Sequence, residues 1–155
     1  VSIIAPGTPS PEFALKTEDG EAFTRDDLAG QTTVLVFFPA AFSSVCTNQF
    51  QIYEEVLGEF AAQGAKLYGV SCDQSDSQTA FRESLNVTIP MLSDFEPKGA
   101  ATKAFDAWFA PTGVSNRALV IVGADQVVQW SWIGEHPGIL PGANLIFDGL
   151  AAADG

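Results

Sequence analysis

Basic residues are scarce in this sequence: seven lysines and arginines stand against 19 aspartates and glutamates, a formal charge of -12 over 155 residues. A surface this negative repels phosphate backbones and anionic lipid headgroups, so neither nucleic-acid nor membrane binding is expected. Long hydrophobic runs are missing too. The longest, from Val34 to Phe38 and on past Pro39 to Phe42, is far too short to span a bilayer. No basic residue precedes an apolar run at the N-terminus, so no signal peptide is expected. Two cysteines are too few for a disulfide framework, and the chain is long enough to bury a core without one. A reducing cytoplasm is the setting this implies. His136 is the one histidine, and no cysteine–carboxylate cluster at ligand spacing surrounds it. It reads as an ordinary loop residue, and neither a metal nor a cofactor is expected.

What the sequence does contain is the composition of a globular chain, 46% hydrophobic and 17% charged, and residues 1–155 read as one domain. Prolines at 6, 9 and 11 mark an extended lead-in over residues 5–12. Short strands are predicted over 13–15 and 21–24, with a turn at Glu18-Asp19-Gly20. Residues 32–38 form an uninterrupted β-branched and aromatic run, the pattern of a strand covered on both faces. Beyond it the period changes. Cys46, Phe50, Tyr53, Leu57 and Phe60 recur at steps of four, three, four and three, which is one face of a helix that Gly64 is placed to end. A second buried strand follows over 65–71, then a helix over 77–85 and a third helix from Pro97 to Trp108. Residues 117–122 and 126–133 predict a hairpin, and 143–153 a closing helix. The layout is α/β, a thioredoxin-like fold with an N-terminal extension and a central mixed sheet flanked by helices.

The chemistry is concentrated in Phe37-Phe38-Pro39-Ala40-Ala41-Phe42-Ser43-Ser44-Val45-Cys46, where a buried strand ends, a loop follows and a cysteine opens a helix. The positive end of a helix favours an anion, hence the thiolate of Cys46 over the thiol. The apolar stripe turns Cys46 toward the sheet, into a dry pocket that admits small reagents. Pro39 can wall that pocket against water, and the Ser43 hydroxyl is placed to donate to a bound oxygen. A lone cysteine at a helix start is more often a small buried hydrophobe than a nucleophile, and strands commonly end at proline. The combination Pro-x-x-x-Ser-x-x-Cys at a strand–loop–helix junction is what favours a nucleophile.

That combination resembles the signature of the peroxiredoxins, Pro-x-x-x-Thr/Ser-x-x-Cys, matched here by Pro39, Ser43 and Cys46. The segments Val34–Pro39, Lys66–Ser71, Pro90-Met91-Leu92-Ser93-Asp94 and Asn116-Arg117-Ala118 are similar to family segments in the same order, over roughly residues 5–135. The resemblance implies a thiol-dependent peroxidase acting on hydrogen peroxide and organic hydroperoxides. Cys46 would be the nucleophile that becomes a sulfenic acid. Arg117, one of only three arginines, would hold the thiolate and the developing charge. Ser43 would orient the peroxide, Pro39 would shield the site, and the Cys46 backbone N–H would join in stabilising the leaving oxygen. It also implies a homodimer or larger homo-oligomer.

Regeneration is less determined. Cys46 is followed by Thr47-Asn48-Gln49, which is no Cys-x-x-Cys, and a thioredoxin-type disulfide reductase is disfavoured. Gln49 stands where family members often carry glutamate. No cysteine lies five residues on, and a resolving cysteine on a C-terminal tail is not expected. Cys72, just past the second buried strand, is expected on the same side of the sheet as Cys46, either as a packing residue or as a resolving thiol. The first alternative gives a one-Cys enzyme similar to the alkyl hydroperoxide reductase E-like and bacterioferritin-comigratory-protein-like subgroups. Its reductant would be thioredoxin, a glutaredoxin-like protein or a small thiol. The second gives an atypical two-Cys peroxidase. A non-enzymatic redox sensor or chaperone on the same fold is the competing reading from a different class.

Overall fold

A strand without polar alternation must be covered on both sides. The computed structural model, which describes residues 2–154, sets the 32–37 run at the centre of a sheet. In chain order the strands are β1 (Ala14–Lys16), β2 (Ala22–Thr24), β3 (Thr32–Phe37), β4 (Ala65–Ser71), β5 (Met91–Ser93), β6 (Trp108–Phe109), β7 (Val114–Ser115), β8 (Ala118–Val122) and β9 (Val128–Ile133). The helices are α1 (Ser44–Glu55), α2 (Leu57–Ala62), α3 (Ser75–Ser84), α4 (Ala100–Ala104) and α5 (Ala143–Asp154). Seven strands make one sheet in the order β2-β1-β5-β4-β3-β8-β9, while β6 and β7 pair separately. β3, β4 and β5 run parallel, and β8 and β9 add antiparallel strands. The result is the mixed, helix-flanked sheet expected from the sequence.

Alternation along the central strand splits the core into two layers. Val34, Val36 and Phe38 face a layer with Cys46, Phe50, Tyr53, Phe81 and Ile146. Leu35 and Phe37 face the opposite layer with Phe13, Ala101, Phe105 and Val120. In the first layer the rings of Phe38 and Phe50 meet edge-on with centroids 4.8 Å apart, and Phe81 packs against both. Gly69 on β4 makes this close approach possible. A Cβ there would lie 2.9 Å from Phe50 and 3.1 Å from Phe38, nearer than side chains normally come. The aromatic cluster thus fixes the height of α1 above the sheet, and with it the position of Cys46.

The N-terminal segment completes the second face. Gly7 donates to the Val128 carbonyl, Val128 donates back to Thr8, and Ser10 donates to Gln126, so the proline-rich lead-in lies along the start of β9. Glu18, in the β1–β2 turn, accepts from Arg82 of α3 at 2.9 Å and from the Met91 N–H, tying the hairpin to the parallel core.

Several boundaries differ from the sequence expectation. The helix expected from Cys46 onward is two helices, broken at Val56, whose backbone (φ -115°, ψ 16°) leaves the helical region. The apolar stripe crosses the break intact because α2 presents Phe60 to the same layer, and a stripe reports burial rather than helix continuity. The helix expected from Pro97 to Trp108 is confined to Ala100–Ala104. Gly99 in a left-handed conformation (φ 72°) precedes it, and the Asp94 carboxylate takes the N–H groups of Ala101 and Thr102. Asp106, also left-handed at φ 63°, then turns the chain, and Ala107 donates to the Thr102 carbonyl. Trp108 consequently lies in β6, opposite Ser115.

Candidate active site

The register of the sheet determines what meets at the end of β3. Phe37 is paired with Val70 on one side and with Ala118 on the other. The loop that begins at Pro39 is therefore flanked by the end of β4, with Ser71, Cys72 and Asp73, and by Arg117 leading into β8. Pro39 is half-buried there.

Ser43 is the N-cap of α1. Its Oγ accepts the Cys46 backbone N–H at 3.3 Å, while its carbonyl accepts from both the N–H and the hydroxyl of Thr47. The Cys46 N–H, expected to help stabilise the leaving oxygen, is given to the cap in this structure. The Ser43 hydroxyl proton has no protein acceptor among the described residues. Cys46 itself is fully buried, in the first turn of α1 and within the Phe38–Phe50 layer. Between Pro39 and Ser43 the chain passes through Phe42 at φ 66°, a conformation that costs a non-glycine residue about 1–3 kcal/mol. The ring of Phe42 is 58% exposed, with its edge against Phe81 at 5.4 Å between centroids.

Arg117 is not the solvated charge that a strand-end arginine commonly is; only 2% of it is exposed. Its Nε donates to the Pro137 carbonyl at 2.6 Å and its Nη1 to Gln49 Oε1 at 2.8 Å. The preceding Asn116 holds its backbone in place. Asn116 Oδ1 accepts the Arg117 N–H, and its Nδ2 donates to the Gly134 carbonyl. Gln49 lies three residues after Cys46 on the same helix face, about 4.5 Å along the axis. The guanidinium is thus anchored to the residue one helical turn after Cys46. Among the described residues it pairs with no carboxylate, and the neutral Gln49 amide leaves the positive charge uncancelled.

Gln49 passes the anchoring on. Arginine can only donate, so the amide oxygen must face it and the amide nitrogen must face away. That nitrogen donates to the Tyr53 hydroxyl at 3.1 Å, and Tyr53 donates to the Pro141 carbonyl at 2.7 Å. Burial pushes the Tyr53 phenol well above its usual range, against smaller opposing effects of the Gln49 hydrogen bond and the Arg117 charge, so it stays protonated and keeps donating. Tyr53 appears in the sequence only as a member of the apolar stripe; a hydroxyl on an otherwise apolar face is the signal that it has a buried acceptor to meet. Replacing Gln49 with leucine should destabilise the fold by about 1–3 kcal/mol, because a buried guanidinium loses its acceptor. It should also slow the reaction of Cys46 with peroxide about tenfold by freeing Arg117. Urea unfolding and stopped-flow oxidation read the two effects separately.

Cys72 shares the C-terminal end of the strands with Cys46 but not the layer, which corrects the expectation that the two lie on one side of the sheet. Gly69 contacts Phe38 and Phe50, and Ser71 takes a hydrogen bond from Gln78 of α3, so odd-numbered positions of β4 face the Cys46 layer. Val70 belongs to the opposite layer, and by the same alternation so does Cys72, whose thiol has Asp94 and Thr102 beside it. Burial, followed by the nearby Asp94 carboxylate, pushes this thiol up from its ordinary 9.0 to about 11, against a Thr102 hydrogen bond and Lys98. Both cysteines are free thiols. His136 is exposed in the loop between β9 and α5, its Nδ1 accepting the Gly138 N–H. Among the described residues no group of histidine, cysteine and carboxylate side chains could hold a metal ion, and no helix is long and apolar enough to cross a membrane.

Comparison with known proteins places this arrangement. The AhpC/TSA family model matches residues 6–131. The alkyl hydroperoxide reductase E of Mycobacterium tuberculosis is 27% identical over 147 residues, covering 94% of this chain and 95% of its own. The alkyl hydroperoxide reductase C of Staphylococcus aureus is 30% identical over 125 residues, 78% of this chain and 65% of that protein. Among solved structures, Enterococcus faecalis AhpC superposes with a TM-score of 0.87 at 22% identity, covering 97% of this chain and 93% of that one. The peroxidoxin BcpB of Mycobacterium tuberculosis superposes with a TM-score of 0.81 at 23% identity, covering 97% of each. Cys46, in the first turn of α1, and the buried Arg117 both lie within the matched span; the chain belongs to the AhpC/TSA family, the peroxiredoxins, and is a thiol-dependent peroxidase.

Proposed function

We propose that Cys46 is the peroxidatic nucleophile, that Arg117 and Ser43 hold the peroxide, and that Pro39 shields the site. The observation that carries this reading is the buried, carboxylate-free guanidinium of Arg117, anchored through Gln49 one helical turn from Cys46. The thiolate attacks one peroxide oxygen, an S–O bond forms as the O–O bond breaks, and the leaving oxygen departs as water or alcohol after taking up a proton. Cys46 is oxidised to the sulfenic acid as the peroxide is reduced. Arg117 Nη groups and the Ser43 hydroxyl face charge that grows only in the transition state, which is where fixed donors accelerate a reaction. Hydrogen peroxide and organic hydroperoxides are both substrates on this reading.

We further propose a one-Cys cycle. An external thiol (thioredoxin, a glutaredoxin-like protein or a small thiol) attacks the sulfenic sulfur, releases water and leaves a mixed disulfide that a second thiol reduces. The position of Cys72 supports this: it packs in the opposite layer, and a disulfide needs Cα atoms within about 7 Å and converging Cβ directions. Such a cycle belongs in a reducing compartment, the cytoplasm. The exposed rings of Phe42 and Phe95 suit a homodimer or larger homo-oligomer.

Mass spectrometry after one equivalent of hydrogen peroxide tests the assignment. A dimedone-trappable sulfenic acid on Cys46 is expected, and a Cys46–Cys72 crosslink would replace the one-Cys cycle with the two-Cys alternative. Cys72→Ala should oxidise at the wild-type rate. It should also flatten the alkaline loss of stability. With a folded-state value of about 11 against an ordinary 9.0, the contribution of the Cys72 thiol is fully present below pH 9 and is lost as pH rises through 11. Thermal melts of both proteins between those limits measure it.

A further inference from the structure

The loop that carries Pro39 and Ser43 is held on its far side by a residue outside the Pro-x-x-x-Ser-x-x-Cys pattern. Asp73, just past the end of β4, accepts the Ala41 backbone N–H on its Oδ2 at 2.8 Å. The same oxygen accepts the Ser71 hydroxyl at 2.7 Å. Ser71 in turn accepts from Gln78 Nε2 at 2.8 Å, and that amide spends its other hydrogen on the Leu92 carbonyl, also at 2.8 Å. The main chain of Asp73 is pinned as well, since Ser93 Oγ donates to its carbonyl at 2.5 Å. Ser71 and Gln78 are fully buried. Every donor and acceptor direction in this chain is determined: amide to hydroxyl, hydroxyl to carboxylate, with the loop N–H arriving at the same carboxylate oxygen.

The loop needs such a hold. Phe42, next to Ala41, sits at φ 66°, and a strained residue persists only where its neighbours over-determine it. On one side Ser43 caps α1; on the other, Asp73 fixes Ala41. We propose that Asp73 is a positioning residue of the peroxidase site, its carboxylate clamping Ala41 so that Pro39 and Ser43 keep their places about Cys46. This inference rests on Cys46 being the nucleophile. Asp73 touches neither thiol nor peroxide; it acts through the loop. Because one oxygen takes both hydrogen bonds, an asparagine can make them with its carbonyl oxygen, and the negative charge is dispensable.

The test compares two reactions of the same thiol. Stopped-flow oxidation by hydrogen peroxide demands the arranged loop, whereas alkylation by iodoacetamide demands only an accessible thiolate. In Asp73→Ala the ratio of peroxide rate to alkylation rate is expected to fall about ten- to a hundredfold, the effect of misplacing a site by about an ångström. Asp73→Asn should stay within about threefold of wild type. Loss of overall stability alone would leave the ratio unchanged. A ratio within about fivefold of wild type in folded Asp73→Ala overturns the inference, as does an Asp73→Asn protein as impaired as Asp73→Ala. Should Asp73→Ala not fold, Ser71→Ala removes the hydroxyl that steadies the carboxylate. A drop of about threefold or more is then expected, and an unchanged ratio overturns the inference. Wild type separates the two readings. If its Cys46 reacts with peroxide no faster than free cysteine, the peroxidase assignment falls and this inference with it. A fast wild type with an equally selective Asp73→Ala sinks this inference alone.

Discussion

Cys46→Ser should remove peroxide consumption almost entirely, by at least about a thousandfold in the second-order rate constant. A serine hydroxyl at neutral pH is not a nucleophile toward a peroxide O–O bond. The background that remains is set by Cys72, which is buried in the opposite layer with its thiol pushed up to about 11, so very little of it is thiolate at pH 7. The variant should retain the fold, since serine is nearly isosteric and the Ser43 cap depends on the backbone N–H of residue 46 rather than on its side chain. A hydroxyl in that dry layer loses about 1–3 kcal/mol if it finds no partner, so Cys46→Ala is the companion control. The natural readout is stopped-flow tryptophan fluorescence, with Trp130 and Trp132 packed against the layer that holds Cys46. A residual rate within about tenfold of wild type in both variants would transfer the chemistry away from Cys46.

The second large effect belongs to Arg117. Truncation to alanine should slow oxidation of Cys46 by about a hundred- to a thousandfold, equivalent to roughly 2.7–4 kcal/mol of transition-state stabilisation, the range for losing a fixed donor at a developing charge. Lysine is the more instructive variant. It keeps a positive charge but offers a flexible ammonium in place of a planar fork, and it cannot meet the Pro137 carbonyl and Gln49 Oε1 with the same geometry. Arg117→Lys should therefore recover only part of the rate, remaining about ten- to a hundredfold below wild type. The alanine variant strips Gln49 of its donor and the lysine variant weakens the anchoring, so stability must be measured alongside by urea unfolding. Full recovery of the rate by lysine would mean that charge alone matters and that the anchoring through Gln49 and Pro137 is incidental.

The contrast between the easy and the hard parts of the sequence has a physical origin. The 32–37 strand and the Cys46–Phe60 stripe were legible because burial on both faces, or on one helical face, is written into every residue of the segment. The Pro-x-x-x-Ser-x-x-Cys junction was legible because strand end, cap and first helical turn are all local. β5, with three residues, and β6 and β7, with two each, left no periodicity to read; their pairing is a property of the partners they meet. Pro97 is a fair start signal for the third helix, but the actual start is determined by Gly99 and by the distant-in-sequence carboxylate of Asp94. The burial of Arg117 depends on Gln49, 68 residues away, and the hold of Asp73 on Ala41 spans 32 residues. Nothing in either neighbourhood announces its partner. The layer occupied by Cys72 turns on the parity of β4, which its nearness to a strand end does not reveal.

The hydrogen bonds from Arg117 through Gln49 and Tyr53 to Pro141 all point the same way, and that polarity constrains how this site can drift. A glutamate at position 49 could accept from Arg117 but has nothing to donate to Tyr53. Tyr53 has a single proton, and turning it toward the new carboxylate would strand the Pro141 carbonyl in a buried setting. Positions 49, 53 and 141 are therefore coupled in sequence space: a change at the first is tolerable only with a compensating change at the others. A substitution that looks conservative, glutamine to glutamate, would be among the least freely exchangeable in the protein.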